Sequence, residues 1–164
     1  MQLILGNIKL SIEAVGSFTM IDNFDVNGVW KGEYAYEDKF QPTILKSAIP
    51  FILRMKLTLD AGKFSGICQD DPESSKINIP ATIYGTIKDY ELFFVKKYPK
   101  TFIHDNNGSI IIGDEPHPDI MYRAKINSQQ RLSGTWHIER TFRKVSGQVI
   151  EIPKINGQWW IEKF

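Results

Sequence analysis

Apolar and polar residues alternate with period two along most of the chain, and no long helical periodicity competes with that pattern. The alternation predicts a first strand from about Val29 to Glu37, with Trp30, Gly32, Tyr34 and Tyr36 on one face and Lys31, Glu33 and Glu37 on the other. A second runs from about Phe51 to Leu59, where Phe51, Leu53, Met55, Leu57 and Leu59 oppose Arg54, Lys56 and Thr58. Asp60-Ala-Gly62 reads as a tight turn into a third strand, Lys63 to Gln69. A polar connection leads to a fourth at Ala81 to Lys88, and a short turn at Asp89 to a fifth at Tyr90 to Tyr98. Ile120 to Asn127, Arg131 to Arg140 and Gln158 to Phe164 complete eight. Eight strands with one apolar face each, mostly joined by hairpins, predict an all-β chain: an eight-stranded antiparallel up-and-down barrel with hairpin insertions. A two-sheet sandwich is the competing arrangement.

Glycines recur among the large apolar residues, in Gly28-Val-Trp30-Lys-Gly32, Phe64-Ser-Gly66, Ile83-Tyr-Gly85, Leu132-Ser-Gly134-Thr-Trp136 and Gly157-Gln-Trp159. A strand residue without a side chain lets a sheet bend or another backbone approach, and repetition of that device closes a small barrel. Three segments exceed a minimal meander: Lys39 to Pro50, Pro99 to Asp119 and Phe142 to Asn156. The second carries a hairpin signal, Asn106-Asn107-Gly108, between Phe102-Ile103 and Ile110 to Ile112; the third has Ser146-Gly147 as its turn. Connections of this length are often lids or binding loops. Residues 28–164 read as a single barrel domain. Residues 1–27 read as an N-terminal extension packing on it, a strand (Ile8, Leu10 and Ile12 alternate) or a short helix.

With 164 residues, 42% of them hydrophobic and 24% charged, the chain can bury the core of one globular domain. A formal net charge of +1 argues against a nucleic-acid footprint. Cys68 is the single cysteine, so no internal disulfide forms, which fits a reducing compartment. The apolar start at Met1 to Leu5 is broken by Gly6 and Asn7 and lacks the basic region of a secretion signal. No stretch reaches the roughly 18 apolar residues of a membrane helix. The expectation is a soluble, cytoplasmic protein with no membrane span.

Gly28-Val-Trp30 resembles the Gly-x-Trp that opens the first strand of lipocalins and related calycins. Trp30-Lys-Gly32-Glu-Tyr34, Phe64-Ser-Gly66 followed by Asp70, Gly85, Lys96-Lys-Tyr98, Tyr122, Leu132-Ser-Gly134-Thr-Trp136 and Gly157-Gln-Trp159-Trp-Ile161 follow in series. Together they look like a group of small lipocalin-like barrels, largely of unknown function, over roughly residues 28–164. The pattern departs at Ala124, where a glycine is wanted, and at the Pro99 to Asp119 insertion. The resemblance implies a calycin-type barrel whose first Trp plugs one end beneath a ligand cavity; it supplies no activity.

Followed along each strand, the alternation puts Asp70, Lys96 and Tyr98 on the interior face. A charge inside a barrel is costly unless paired and hydrogen-bonded. Either Lys96 pairs with Asp70 or another carboxylate near one barrel end, or these groups meet a polar ligand headgroup. A slip of one residue would exchange Lys96 for Val95 and Lys97. Tyr34, Tyr36, Tyr122, Trp136 and Trp159 also face inward, as core or as cavity wall. Small interior residues (Gly32, Gly66, Ala81, Gly85, Ala124 and Gly134) leave room for a cavity or for the rings opposite.

His104 and His117 lie in the insertion with Asp105, Asp114, Glu115 and Asp119, but no metal spacing supports a site, and a solvated acidic loop is the better reading. His137 alternates with Trp136 and points outward. Asp70-Asp71-Pro-Glu73 reads as a turn rather than a calcium loop, and Cys68 as a buried structural thiol. No nucleophile elbow, Walker run or dinucleotide fingerprint is present, so no cofactor is implied.

The preferred reading is non-enzymatic binding of a small, mostly apolar or amphipathic molecule in the barrel. Tyr34, Asp70, Lys96, Tyr98, Tyr122 and Trp136 would form the site, with the Pro99 to Asp119 insertion as lid. One alternative is an interaction module or homodimer using the inserted hairpins at Ile110 to Ile112 and Val149 to Ile152. A weaker one is a cavity enzyme using Asp70, Lys96 and Tyr98 for acid/base chemistry.

Overall fold

The computed structural model describes residues 24–37, 48–105 and 107–164. The alternation closes on itself: eight antiparallel strands form a barrel in the order β1-β12-β9-β8-β5-β4-β3-β2. These are β1 (Gly28–Tyr36), β2 (Ile49–Leu57), β3 (Lys63–Asp70), β4 (Ala81–Lys88), β5 (Glu91–Lys97), β8 (Ile120–Lys125), β9 (Arg131–Ile138) and β12 (Ile155–Lys163). Two further hairpins, β6 (Phe102–His104) with β7 (Ile110–Ile112) and β10 (Thr141–Val145) with β11 (Gln148–Ile152), are separate two-stranded sheets. Both are the insertions expected from Asn106-Asn107-Gly108 and Ser146-Gly147. Gly108, Ser146 and Gly147 take positive φ of 84°, 51° and 78°, and the last two make the twist-matched two-residue hairpin turn.

Every strand end differs from the alternation by a few residues at most, and two differences change a residue's role. Leu59 falls past the end of β2 and is fully exposed, because pairing of β2 with β3 stops at Leu57↔Phe64. Tyr90 belongs not to β5 but to the turn, with Asp89, at φ of 61° and 50°. Asp70 to Glu73 is more than a turn: Asp71 caps a one-turn helix, α1 (Pro72–Ser75), its carboxylate accepting from the Ser74 amide at 2.9 Å. The strand or helix read in residues 1–23, and most of the Lys39 to Pro50 connection, lie outside the described residues.

Connections sort by length between the two barrel ends. At one end, short turns join β2 to β3, β4 to β5 and β8 to β9, and Phe24 and Val26 are buried under the first strand. Trp30 seals this end; its indole N–H donates to the Val26 carbonyl at 2.9 Å, with the Phe24 ring 5.7 Å away. At the other end lie the connection through α1 and both inserted hairpins. The hairpins are tied together: Arg143 donates to the Pro116 carbonyl at 2.8 Å and the Lys144 amide to Glu115 at 2.7 Å, while Val145 is buried.

Rings fill the middle of the barrel. Phe94 stacks on Tyr122 at 4.6 Å, and Trp159 meets both edge-on at 5.6 Å. The small interior residues do not open that space. At Gly32, Gly66 and Gly134 a Cβ would collide with a carbonyl of the next strand, so these positions serve close approach of backbones. At Gly157 it would collide with the Ala35 carbonyl and the Trp136 indole, which lies over it. Among the described residues no helix is long and apolar enough to cross a membrane.

Candidate functional site

Asp70 ends β3, continuing the inward face of Phe64 and Cys68, and Lys96 sits next to last in β5 on the face of Leu92 and Phe94. Their side chains meet inside the barrel, Lys96 Nζ to Asp70 Oδ1 at 2.5 Å, each 1% exposed. Two phenols complete the carboxylate: Tyr98 donates to Asp70 Oδ2 at 2.5 Å and Tyr34 at 3.0 Å. The Cys68 thiol reaches Oδ1 at 3.6 Å. Of the alternatives left open by the alternation, a paired charge or a headgroup site, the structure holds the pair. The carboxylate's lone pairs are all engaged, the condition under which burial of a charge is tolerable.

Proton positions follow from this packing. Burial is the largest single influence on the Lys96 ammonium and pulls it down, but the Asp70 carboxylate, joined by Cys68, Tyr98 and Tyr122, holds the group well above its ordinary value. Burial, and then the same carboxylate, raise Tyr34 and Tyr98 well above the usual phenol range. Burial pushes the Cys68 thiol up to about 12. The Lys96 ammonium is thus ion-paired with Asp70 beside two phenols that stay neutral near neutral pH, which leaves no basic nitrogen at Lys96.

Above this cluster is a cavity of about 230 Å³. Tyr34, Asp70, Lys96, Tyr98, Tyr122 and Trp136, the six residues expected to share a site, all line it. It lies at the mouth, between the barrel and the inserted hairpins, not down the ring-filled axis. The far wall is aliphatic and was not anticipated: Ile77 after α1, Ile103 on β6, Ile150 and Ile152 on β11, and Ile138 and Ile155 at the barrel rim. The hairpins have no long alternation to show which faces turn inward, but the Asn-Gly turn signal, by folding residues 102–104 onto 110–112, marks them as a cover. Glu151 stands at the rim, paired outward with Arg140 at 2.7 Å.

The histidines of the insertion are not in a solvated loop. His117 is half-buried against Tyr98, ring to ring at 5.9 Å, and its Nδ1 lies 2.8 Å from the Pro118 carbonyl, which places the ring proton there. Burial pushes it down to about 4. His104 is lowered by burial too, and its Nδ1 is the one buried side-chain nitrogen without a partner among the described residues. Both rings line the cavity. The neighbouring acids have structural uses: Asp105 accepts the Asn107 and Ser109 amides at 2.9 and 2.8 Å, and Asp119 pairs with Lys97. Among the described residues no three His, Cys, Asp or Glu gather as a metal site. His137 points outward, 3.3 Å from Glu139.

No family model matches the chain, and neither a curated protein nor a solved structure matches it.

Proposed function

We propose that this protein binds a small, mostly apolar molecule at the barrel mouth without chemical conversion, in the manner of a lipocalin-like carrier. The observation that carries the reading is the cavity itself, about 230 Å³ with aliphatic and aromatic walls and a hydrogen-bonded, charge-closed floor. Such a combination of apolar wall and few fixed polar groups suits small-molecule sites. Its size favours a compact guest. An apolar cavity of about 150 Å³ holds benzene, so proportional volume allows roughly nine non-hydrogen atoms. A single ring or short chain fits; a long fatty chain or retinoid would extend out between the hairpins. The Pro99 to Asp119 insertion covers the guest, and Trp136 reports its arrival.

Tryptophan emission, followed during titration with small single-ring compounds, short-chain alcohols, fatty acids and retinoids, tests this. The expected result is a saturable change with the compact members and its loss in Trp136→Phe. No response to any member, with none detected by calorimetry either, would sink the reading.

A second reading rests on the exposed apolar residues of the hairpins, where Ile112, Phe142 and Val149 are 52%, 54% and 73% exposed. These would dock a partner or a second copy. Sedimentation velocity decides: a monomer at all concentrations removes the self-association form.

A further inference from the structure

We propose, building on the ligand-binding reading, that the cavity selects an uncharged single-ring molecule carrying a hydroxyl, a phenol, and rejects carboxylates. Two features of the lining point there. The first is charge. The ammonium of Lys96 is held by Asp70 at 2.5 Å, and the carboxylate is also bound by Tyr34 and Tyr98, so no unmatched positive charge faces the guest. An anionic headgroup entering the cavity gives up its hydration and finds no unmatched cation, since Lys96 is bound to Asp70 at the floor and Arg140 to Glu151 at the rim. A cationic one likewise finds both carboxylates already paired. A neutral molecule incurs neither cost.

The second feature is the polar groups not spent on that cluster. Tyr36 and Tyr122 line the cavity, and their hydroxyls take no part in the bonds that close around Asp70. The His117 proton is committed to the Pro118 carbonyl, which leaves Nε2 as an acceptor. A hydroxyl both donates and accepts, so one such group on the guest serves a phenol on the barrel wall and an imidazole on the cover. The rings of Tyr34, Tyr36, Tyr122 and Trp136 stand edge-to-face or stacked around this end of the barrel and offer a flat guest the same contacts.

Calorimetric titration of the whole chain with p-cresol, p-xylene and benzoate at neutral pH tests the assignment. The first two have the same shape and differ in the hydroxyl; the third is about the same size and anionic. We expect p-cresol to bind about tenfold more tightly than p-xylene, the worth of one hydrogen bond in a site that excludes water. We expect benzoate to bind more weakly than either. In the double variant Tyr36→Phe with Tyr122→Phe, the preference for p-cresol should fall towards unity while p-xylene binding persists, which also shows that the fold is kept. Equal binding of p-cresol and p-xylene, or tightest binding of benzoate, overturns the phenol assignment and leaves the cavity reading standing. Absence of heat with all three, together with silence in the tryptophan titrations, overturns both.

Discussion

Lys96 Nζ lies 2.5 Å from Asp70 Oδ1 although their strands, β5 and β3, are not neighbours in the barrel; β4 runs between them. The contact therefore crosses the interior and ties two parts of the wall. Removing one partner strands a buried charge, a loss of about 3–5 kcal/mol. Lys96→Met and Asp70→Asn should each lower unfolding free energy by that order in urea titrations. The double variant should lose clearly less than the sum of the two. A Lys96→Met protein within about 1 kcal/mol of the parent would show that the pair does not hold the barrel.

Tyr98→Phe isolates one phenol. It deletes a donor at 2.5 Å from a buried carboxylate and leaves the ring in place against Phe102 and His117. A hydrogen bond to a charged group is worth about 1.5–3 kcal/mol, and urea unfolding should show a loss in that range. Tyr34→Phe, from 3.0 Å, should cost less. Reversal of that order would place the tighter bond on Tyr34.

The barrel was legible because all eight of its strands have six or more residues and present one apolar face, enough for period two to declare itself. The inward direction of Asp70, Lys96 and Tyr98 followed from the same count, since a slip of one residue would have turned Phe94 outward with them. What period two does not carry is depth or azimuth. It places Lys96 and Asp70 inside, not opposite one another two strands apart. Nor does it speak where strands are three residues long. His104, Ile103 and Ile150 reach the cavity only because the two hairpins fold back over the mouth and lock through Arg143, Lys144 and Val145. Leu59 shows the converse failure: the alternation runs on after its pairing partner has turned away.

His117 makes stability depend on pH. Its folded value, about 4, lies below the ordinary 6.5 because burial, with Lys96 and Arg143 facing it, disfavours the cation; the Pro118 bond and Asp70 act the other way. Between those values the unfolded chain binds a proton that the folded one refuses, so stability falls as pH drops from about 6.5 towards 4. The full loss is roughly 3 kcal/mol. Urea titrations over that window should give a steep decline in the parent and a shallower one in His117→Gln. Parallel declines would mean that other groups carry it.

Cys68 is buried, and its thiol is pushed up to about 12 by burial, so little thiolate exists in the folded protein near pH 8. Iodoacetamide should modify it only through opening of the barrel. Mass spectrometry is expected to show alkylation slower by several hundredfold in buffer than in denaturing urea. In Lys96→Met, where the neighbouring ion pair is gone, the native rate should rise. Rapid alkylation of the parent would mean that this wall opens readily.

The two Gly-x-Trp segments of β9 and β12 pair reciprocally, Trp136 opposite Gly157 and Trp159 opposite Gly134. Each indole reaches across its glycine to the following strand: Trp136 donates to the Ala35 carbonyl on β1 at 3.1 Å, and Trp159 to Arg123 on β8 at 3.3 Å as well as to Thr135 at 3.0 Å. The glycines are thus the crossing points of two three-strand ties. A Cβ at Gly157 would meet both the Ala35 carbonyl and the Trp136 ring, and the backbone atom cannot swing aside as a flexible side chain would. Gly157→Ala should therefore cost about 3 kcal/mol or more by overpacking. It should also move Trp136 at the cavity wall, changing near-ultraviolet dichroism and weakening any guest bound there. Trp136→Phe shortens the ring and removes its N–H, so it should lose the tie while sparing the strands a collision, and its cost should be the smaller. A Gly157→Ala protein as stable as the parent, with its tryptophan signal unchanged, would mean that the indole does not depend on that crossing.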